Sequence, residues 1–388
     1  FDAEGWLTEA VGPLDYGYGF HSIRDRIGSW TRAANIERPL CRTPLPVVAD
    51  SEVNAADWRH SYNGMRFLSE SRSDPRPSML YLTTGLVHPA FVAERRHMAA
   101  VDARRIEIPS TIGEIEADCH PVDRYIRMTK NCDTPFSPGV VHQIRHVYCG
   151  MIAALDEMVG RVLREIEDLG LRDSTYVIFS SDHGEMAGEQ NQVLKRTMYE
   201  PSIHVPLIIA GPDVRRGATV DEPVSLIDLY PTLMDMAGAQ GDPNADGESL
   251  MPQLTGSSAR SRDWAFAEYN GDRCNTGVYM LRRGRYKYIH HEGYEPQLFD
   301  LSKDPWEERN VAASNADVTA AMAAILEAGI AGERPAEIDA RAKRYDRESF
   351  MEWSSRARAD GTYDKTMSHV YSGFDHQCIE DLIPWREE

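Results

Sequence analysis

Ser174–Pro212 reads STYVIFSSDHGEMAGEQNQVLKRTMYEPSIHVPLIIAGP. Two apolar runs in it, Ser174 to Ser180 and Val205 to Ala210, are rich in β-branched and aromatic residues and read as fully buried strands. The first runs straight into Ser181, Asp182, His183 and Gly184, so polar chemistry sits at its carboxyl end; the second closes with Gly211 and Pro212. Upstream, Ser137 is a good N-cap and Pro138 suits a first helical turn. Val141, Ile144, Tyr148, Met151, Leu155, Met158, Val162 and Ile166 then recur at helical spacing until Gly170. A second helix is expected over Ser225 to Ala237. Helix and strand alternate as in a doubly wound α/β sheet, whose ligands lie beyond the carboxyl ends of the strands.

Further out, Asn54 to Glu70 reads as a helix and Ser78 to Leu82 as a buried strand. The strand leads through Thr83, Thr84 and Gly85 to His88, which it delivers at its tip. After about Pro252 the pattern changes to strands joined by turns, Trp264 to Tyr269, Val278 to Arg282 and Tyr286 to His290. Polar helices over Ala316 to Ile330 and Asp346 to Trp353 follow. The expected organisation is an α/β domain over 1–255 and a smaller α+β subdomain over 256–388, a short antiparallel sheet with a helical tail.

Composition narrows the function. The 388 residues carry 61 Asp plus Glu against 42 Lys plus Arg, a formal charge of −19, with no basic block. Phosphate backbones and anionic lipid need clustered Lys and Arg, so neither nucleic acid nor membrane is an expected partner. No apolar run approaches the roughly 20 residues that span a bilayer. The six Cys form no C-x-x-C pair, which fits neither a zinc site nor a disulfide framework. Without an Asn-x-Ser/Thr sequon, a bacterial protein of the periplasm or cytoplasm is expected.

Adjacent Asp182 and His183 offer a hard oxygen and an imidazole nitrogen, suited to a divalent cation if other carboxylates converge. From spacing alone, the pair reads equally well as a turn cap beside a packed histidine. The wider pattern favours the cation. Asp182-His183-Gly184 with Lys195 beyond it resembles the corresponding segment of type I sulfatases in the alkaline phosphatase superfamily. The likeness continues through HPVDRYIRMTKNC (His120 to Cys132), GPLDYGYGFHSIRDRIGSWTR (Gly12 to Arg32), PQLFDLSKDP (Pro296 to Pro305) and YDRESFMEW (Tyr345 to Trp353). It covers nearly the whole chain and is nearest to the arylsulfatase K group.

The resemblance implies an alkaline phosphatase-like large mixed sheet flanked by helices. It also implies a sulfuric ester hydrolase acting on a small sulfated sugar or short glycosaminoglycan fragment, with exo-acting removal of a glucuronate 2-O-sulfate. Asp182 and His183 would bind the cation, Ca²⁺ by family habit with Mn²⁺ or Mg²⁺ as alternatives. Lys195 would contact the sulfate, His88 in VHPAF would serve the bridging oxygen, and His21 would line the pocket. The physical demand is general: peripheral sulfate oxygens repel a nucleophile and an alkoxide leaves poorly, so cations and an acid are both needed.

Two departures stand out. Pro13 in GPLDY replaces a sulfate-contacting Lys of the family, although Arg24 and Arg26 lie close by in sequence. The C-x-P-S-R motif that is oxidised to formylglycine, and the Asp-Asp pair that completes the metal site, are both missing. Cys119 comes nearest, with Pro121 in place but Val122 and Asp123 where Ser and Arg are required. Both elements belong to the family's N-terminal part and the chain starts at Phe1 rather than Met, so a missing N-terminal segment is expected. The alternatives are a phosphoester or phosphonate hydrolase of the same superfamily and a non-catalytic carbohydrate-binding protein.

Overall fold

The computed structural model describes residues 5–12, 46–113, 119–130, 132, 135–257, 262–271, 274, 276–329 and 332–363. His21, Pro13, Arg24, Arg26 and Arg32 lie outside the described residues. Strand β1 (Leu7–Val11) pairs in parallel with β3 (Ser78–Leu82), and β2 (Val47–Ala49) with β4 (Val92–Glu94). Parallel pairing requires a long crossover, and helix α1 (Ala55–Ser71) supplies it for β1 and β3 while packing on both. Its Gly64 lets the helix approach closely: a Cβ there would stand 3.2 Å from a Leu82 methyl.

Helices α2 (Arg95–Met98), α3 (Pro121–Thr129) and α4 (Pro138–Asp168) follow. The long α4 begins as its sequence predicts, with the Ser137 hydroxyl accepting from the Val140 amide at 3.3 Å. Its buried positions Val141, Ile144, Val147, Met151, Ala154 and Met158 step at three and four residues. Most of them join Leu86, Phe91, Ala93, Ala187 and Val193 in one core, so the helix spine supports both of the loops that carry the site.

Strand β5 (Val177–Ser180) pairs antiparallel with β6 (Leu207–Ala210), with Ser180 opposite Leu207. The segment between them holds a 3-10 turn at Glu189–Asn191 and the short α5 (Glu200–Ile203) and is a loop excursion instead of a helical crossover, so the chain re-enters reversed. The sequence reading of all three apolar strands as buried is corrected. Strands β3 and β5 are half-buried and Ile208 on β6 is 62% exposed. The cause lies in the pairing, because among the described residues no third strand joins the β5–β6 ladder.

Helices α6 (Leu229–Ala237) and α7 (Met251–Thr255) lead to an antiparallel meander of β7 (Trp264–Tyr269), β8 (Val278–Arg283), β9 (Tyr286–His291) and β10 (Gln297–Asp300). Strand alternation gives this sheet two apolar faces. Val278, Met280, Ile289 and Phe299 pack on Val122, Ile126, Met186, Met198 and Tyr199. Tyr279, Leu281, Tyr288 and Leu298 pack on α8 (Ala316–Glu327) and α9 (Pro335–Ala359) through Met322, Leu326 and Ile338. The C-terminal sheet is therefore a middle layer, and one of its faces backs onto the segment that follows Asp182. The helix expected from Asp346 is the second half of α9, which starts earlier, at Pro335, where the Glu337 carboxylate accepts the Arg334 amide at 3.0 Å. No helix among the described residues is long and apolar enough to cross a membrane.

Candidate active site

Two loops converge. The first follows β3. Buried Asp57, in the first turn of α1, accepts the Gly85 amide at 2.6 Å, and the His88 amide donates to the Gly85 carbonyl at 2.8 Å. The second follows β5. Asp182 accepts the His183 amide at 2.9 Å, the Ser181 hydroxyl donates to the His183 carbonyl at 2.8 Å, and the Gly184 amide donates to the Ser202 carbonyl at 2.8 Å. A Cβ on Gly184 would sit 2.0 Å from the Pro201 carbonyl oxygen, so no other residue permits this approach.

The loops bring His88, Asp182, His183 and Lys195 together. Lys195 Nζ lies 2.7 Å from His88 Nε2, and the His88 and His183 rings meet edge to face at 6.0 Å. His21, the remaining sequence candidate, is outside the described residues. His88 Nδ1 lies 2.7 Å from the Pro89 carbonyl. A carbonyl only accepts, so Nδ1 carries the proton and Nε2 presents a lone pair to the Lys195 ammonium. Burial, and next the Lys195 charge, hold His88 below the usual histidine range. Resting His88 is thus an acceptor. To protonate anything it must first take up a proton from elsewhere, since Lys195 must keep its own to remain a cation.

The same logic applies to His183. Its Nδ1 lies 2.9 Å from the Gly184 carbonyl, which leaves Nε2 as the lone-pair nitrogen, 3.6 Å from Asp182 Oδ2. A ligating imidazole held through its other nitrogen by a carbonyl is a common metal-site arrangement. The Asp182 side chain is 83% exposed and so open to a ligand. One carboxylate and one oriented imidazole fit two positions of a divalent-cation site. No group of three or more His, Cys, Asp or Glu forms one among the described residues.

Sequence reasoning missed the buried groups that hold these loops, Asp57 and Glu185. Glu185 could have been noticed, since an acid directly after Asp-His-Gly is an unusual candidate for burial. Lys130 is wholly buried and donates to Gln192 Oε1 at 2.9 Å. His120 bonds the Glu295 carbonyl and stacks on His291 at 4.0 Å, while His204 pairs with Glu200 at 3.0 Å. Among the described residues, Cys119, Cys132, Cys149 and Cys274 are reduced cysteines.

The sulfatase family model matches residues 5–239, and the model for the C-terminal part of N-sulphoglucosamine sulphohydrolase matches 188–331. Arylsulfatase K of Danio rerio is 34% identical over 374 residues, covering 90% of this chain and 71% of that protein. Arylsulfatase K of Homo sapiens is 34% identical, covering 91% and 70% respectively. Among solved structures, the phosphonate monoester hydrolase from Silicibacter pomeroyi aligns with a TM-score of 0.56 and 26% identity over 69% of this chain and 58% of its own. That of Agrobacterium radiobacter aligns with a TM-score of 0.62 and 23% identity over 84% and 78%, a likeness of fold. The vertebrate relatives overturn the expectation of a bacterial protein of the periplasm or cytoplasm. Absent sequons and scattered thiols describe local composition, not origin.

Proposed function

We propose, from the premise that the chain belongs to the sulfatase family of sulfuric ester hydrolases, that its site removes a 2-O-sulfate from a terminal glucuronate or a related sulfated sugar. The observation that carries this reading is the contact of Lys195 Nζ with His88 Nε2 at 2.7 Å, beside Asp182 and His183. Lys195 places a positive charge where a sulfate oxygen can replace His88 as its partner. His88, released from Lys195 and protonated, donates to the bridging oxygen as the sugar alkoxide departs. Asp182 and His183 would hold a divalent cation, Ca²⁺ in our reading, which would supply further positive charge to the sulfate oxygens. The family's formylglycine, whose motif this chain does not contain, would supply the nucleophile. In this reading His21, which lies outside the described residues, would line the pocket, and a C-terminal subdomain over 256–388 would back it.

The net charge of −19 supports short fragments over long polyanions. Turnover of a disaccharide with a terminal 2-O-sulfated glucuronate, compared with a long sulfated chain, tests this on the complete protein. Faster loss of internal sulfates from the chain would refute it. Likeness to the Silicibacter phosphonate monoester hydrolase at 26% identity favours a second reading, phosphonate monoester hydrolysis. A phosphonate monoester hydrolysed faster than every sulfated sugar would establish that second reading instead.

A further inference from the structure

The loop carrying Lys195 is unusual in its backbone. Between Gly184 and Arg196, the non-glycine residues Ala187, Gln190, Asn191, Leu194 and Arg196 all have positive φ, from 44° to 85°. Such conformations persist only where the surroundings over-determine them. The far end of the loop is tied outward: Asn191 Nδ2 donates to the Gly113 carbonyl at 2.7 Å, and Gln190 Nε2 donates to the Trp306 and Glu307 carbonyls at 3.1 and 3.3 Å. The near end is tied to one side chain. Glu185 is 9% exposed, and its Oε1 accepts the Ala187 amide at 3.1 Å and the Leu194 amide at 2.6 Å. The Leu194 carbonyl in turn accepts the Met186 amide at 3.0 Å. Both polar groups of the residue before Lys195 are therefore fixed, one by the Glu185 carboxylate and one by its neighbour.

We infer that Glu185 is the positioning residue for Lys195: by clasping the two stems of the strained loop through one carboxylate oxygen, it fixes the peptide from which Lys195 reaches His88 and the sulfate. The inference rests on the reading of Lys195 as the sulfate-contacting residue. Glu185 faces the interior and touches neither His88 nor a substrate position, so its effect passes through Lys195. What the clasp needs is an acceptor oxygen, which glutamine also provides.

The test uses the full-length protein with inorganic sulfate as ligand, titrated against wild type, Glu185→Ala, Glu185→Gln, Lys195→Ala and the Glu185→Ala/Lys195→Ala double variant. Independently of sulfate, the ¹⁵N shift of His88 Nε2 reports the hydrogen bond from Lys195. Glu185→Ala is expected to weaken sulfate binding by about tenfold or more, as Lys195→Ala does, and to move the His88 shift in the same direction. The double variant binds no more weakly than Lys195→Ala, and Glu185→Gln stays near wild type in both readouts. Additive losses in the double variant, an unmoved His88 shift, or a Gln variant as impaired as Lys195→Ala would overturn the assignment. Should Glu185→Ala fail to fold, the Gln variant and its His88 shift decide alone. If Lys195→Ala leaves sulfate affinity intact, the functional reading fails, and the His88 shift still judges Glu185.

Discussion

Lys287, the second residue of β9, reaches Glu200 Oε1 at 3.0 Å and also pairs with Glu307, with no exposed side-chain surface of its own. Glu307 returns to the same place by accepting the Glu200 amide at 2.7 Å. Burial pushes Glu307 up to about 7 against the pull of Lys287, whereas Glu200 is brought down to about 2 by His204 and Lys287 despite burial. The triad joins the C-terminal sheet to the end of the site loop. Removing one partner of a buried pair strands the other, so Lys287→Met is expected to cost about 3–5 kcal/mol. Thermal unfolding should show it as a drop of several degrees; an unchanged midpoint would mean that the pair contributes nothing.

Asp182, the proposed cation ligand, separates ligation from folding, because its side chain is mostly exposed. Asp182→Ala should leave the unfolding free energy within about 1 kcal/mol of wild type. The same change should weaken divalent-cation affinity by at least about 100-fold, with activity falling alongside. Calorimetric titration of Ca²⁺ and Mn²⁺ checks this, and retention of full affinity would remove Asp182 from the metal site.

For His88, the leaving group is the informative variable. A sugar alkoxide needs a proton and an activated aryl oxide does not, so His88→Ala should slow sugar sulfates by roughly 10²–10⁴-fold and activated aryl sulfates by less than about tenfold. Equal losses on both substrates would argue for a role in binding only.

His291 predicts a pH dependence of stability. It is buried against His120, Asp123 and Gln297, near His290, and burial pushes it down to about 4 from an ordinary 6.5. The unfolded chain takes up a proton near 6.5 that the folded chain refuses until about 4. The stability tied to neutral His291 is therefore complete above 6.5 and lost as pH falls from there towards 4. His291→Phe should flatten that part of a denaturation-against-pH series; an unchanged slope would place the dependence elsewhere.

The sequence exposed what period and punctuation encode. Ser137-Pro138 and the apolar spacing up to Ile166 mark α4, and the strand limits Ser78–Leu82 and Trp264–Tyr269 follow from short apolar runs between turn residues. Antiparallel pairing of β5 with β6 was not legible, because a buried run carries no mark of its partner's direction. Helix α3 was hidden inside a motif, and the first half of α9 by its polarity, since between Pro335 and Lys343 the only apolar side chain larger than Ala is Ile338. At the site, Asp182, His183 and Lys195 were visible through resemblance. Asp57 and Glu185 were not, because a carboxylate that serves backbone amides looks in sequence like any surface acid.

Gln190 and Glu200 both hang from the turn that contains Trp306 and Glu307. The carboxyl-terminal layer is thus no exchangeable cassette. A graft that replaced it with a foreign sheet of equal shape would have to reproduce two backbone carbonyls and one carboxylate at fixed positions, or the reacting end of the molecule would lose its alignment. Changes in specificity are more easily accepted in exposed surface turns, far from this fastening, than by swapping the layer that holds it.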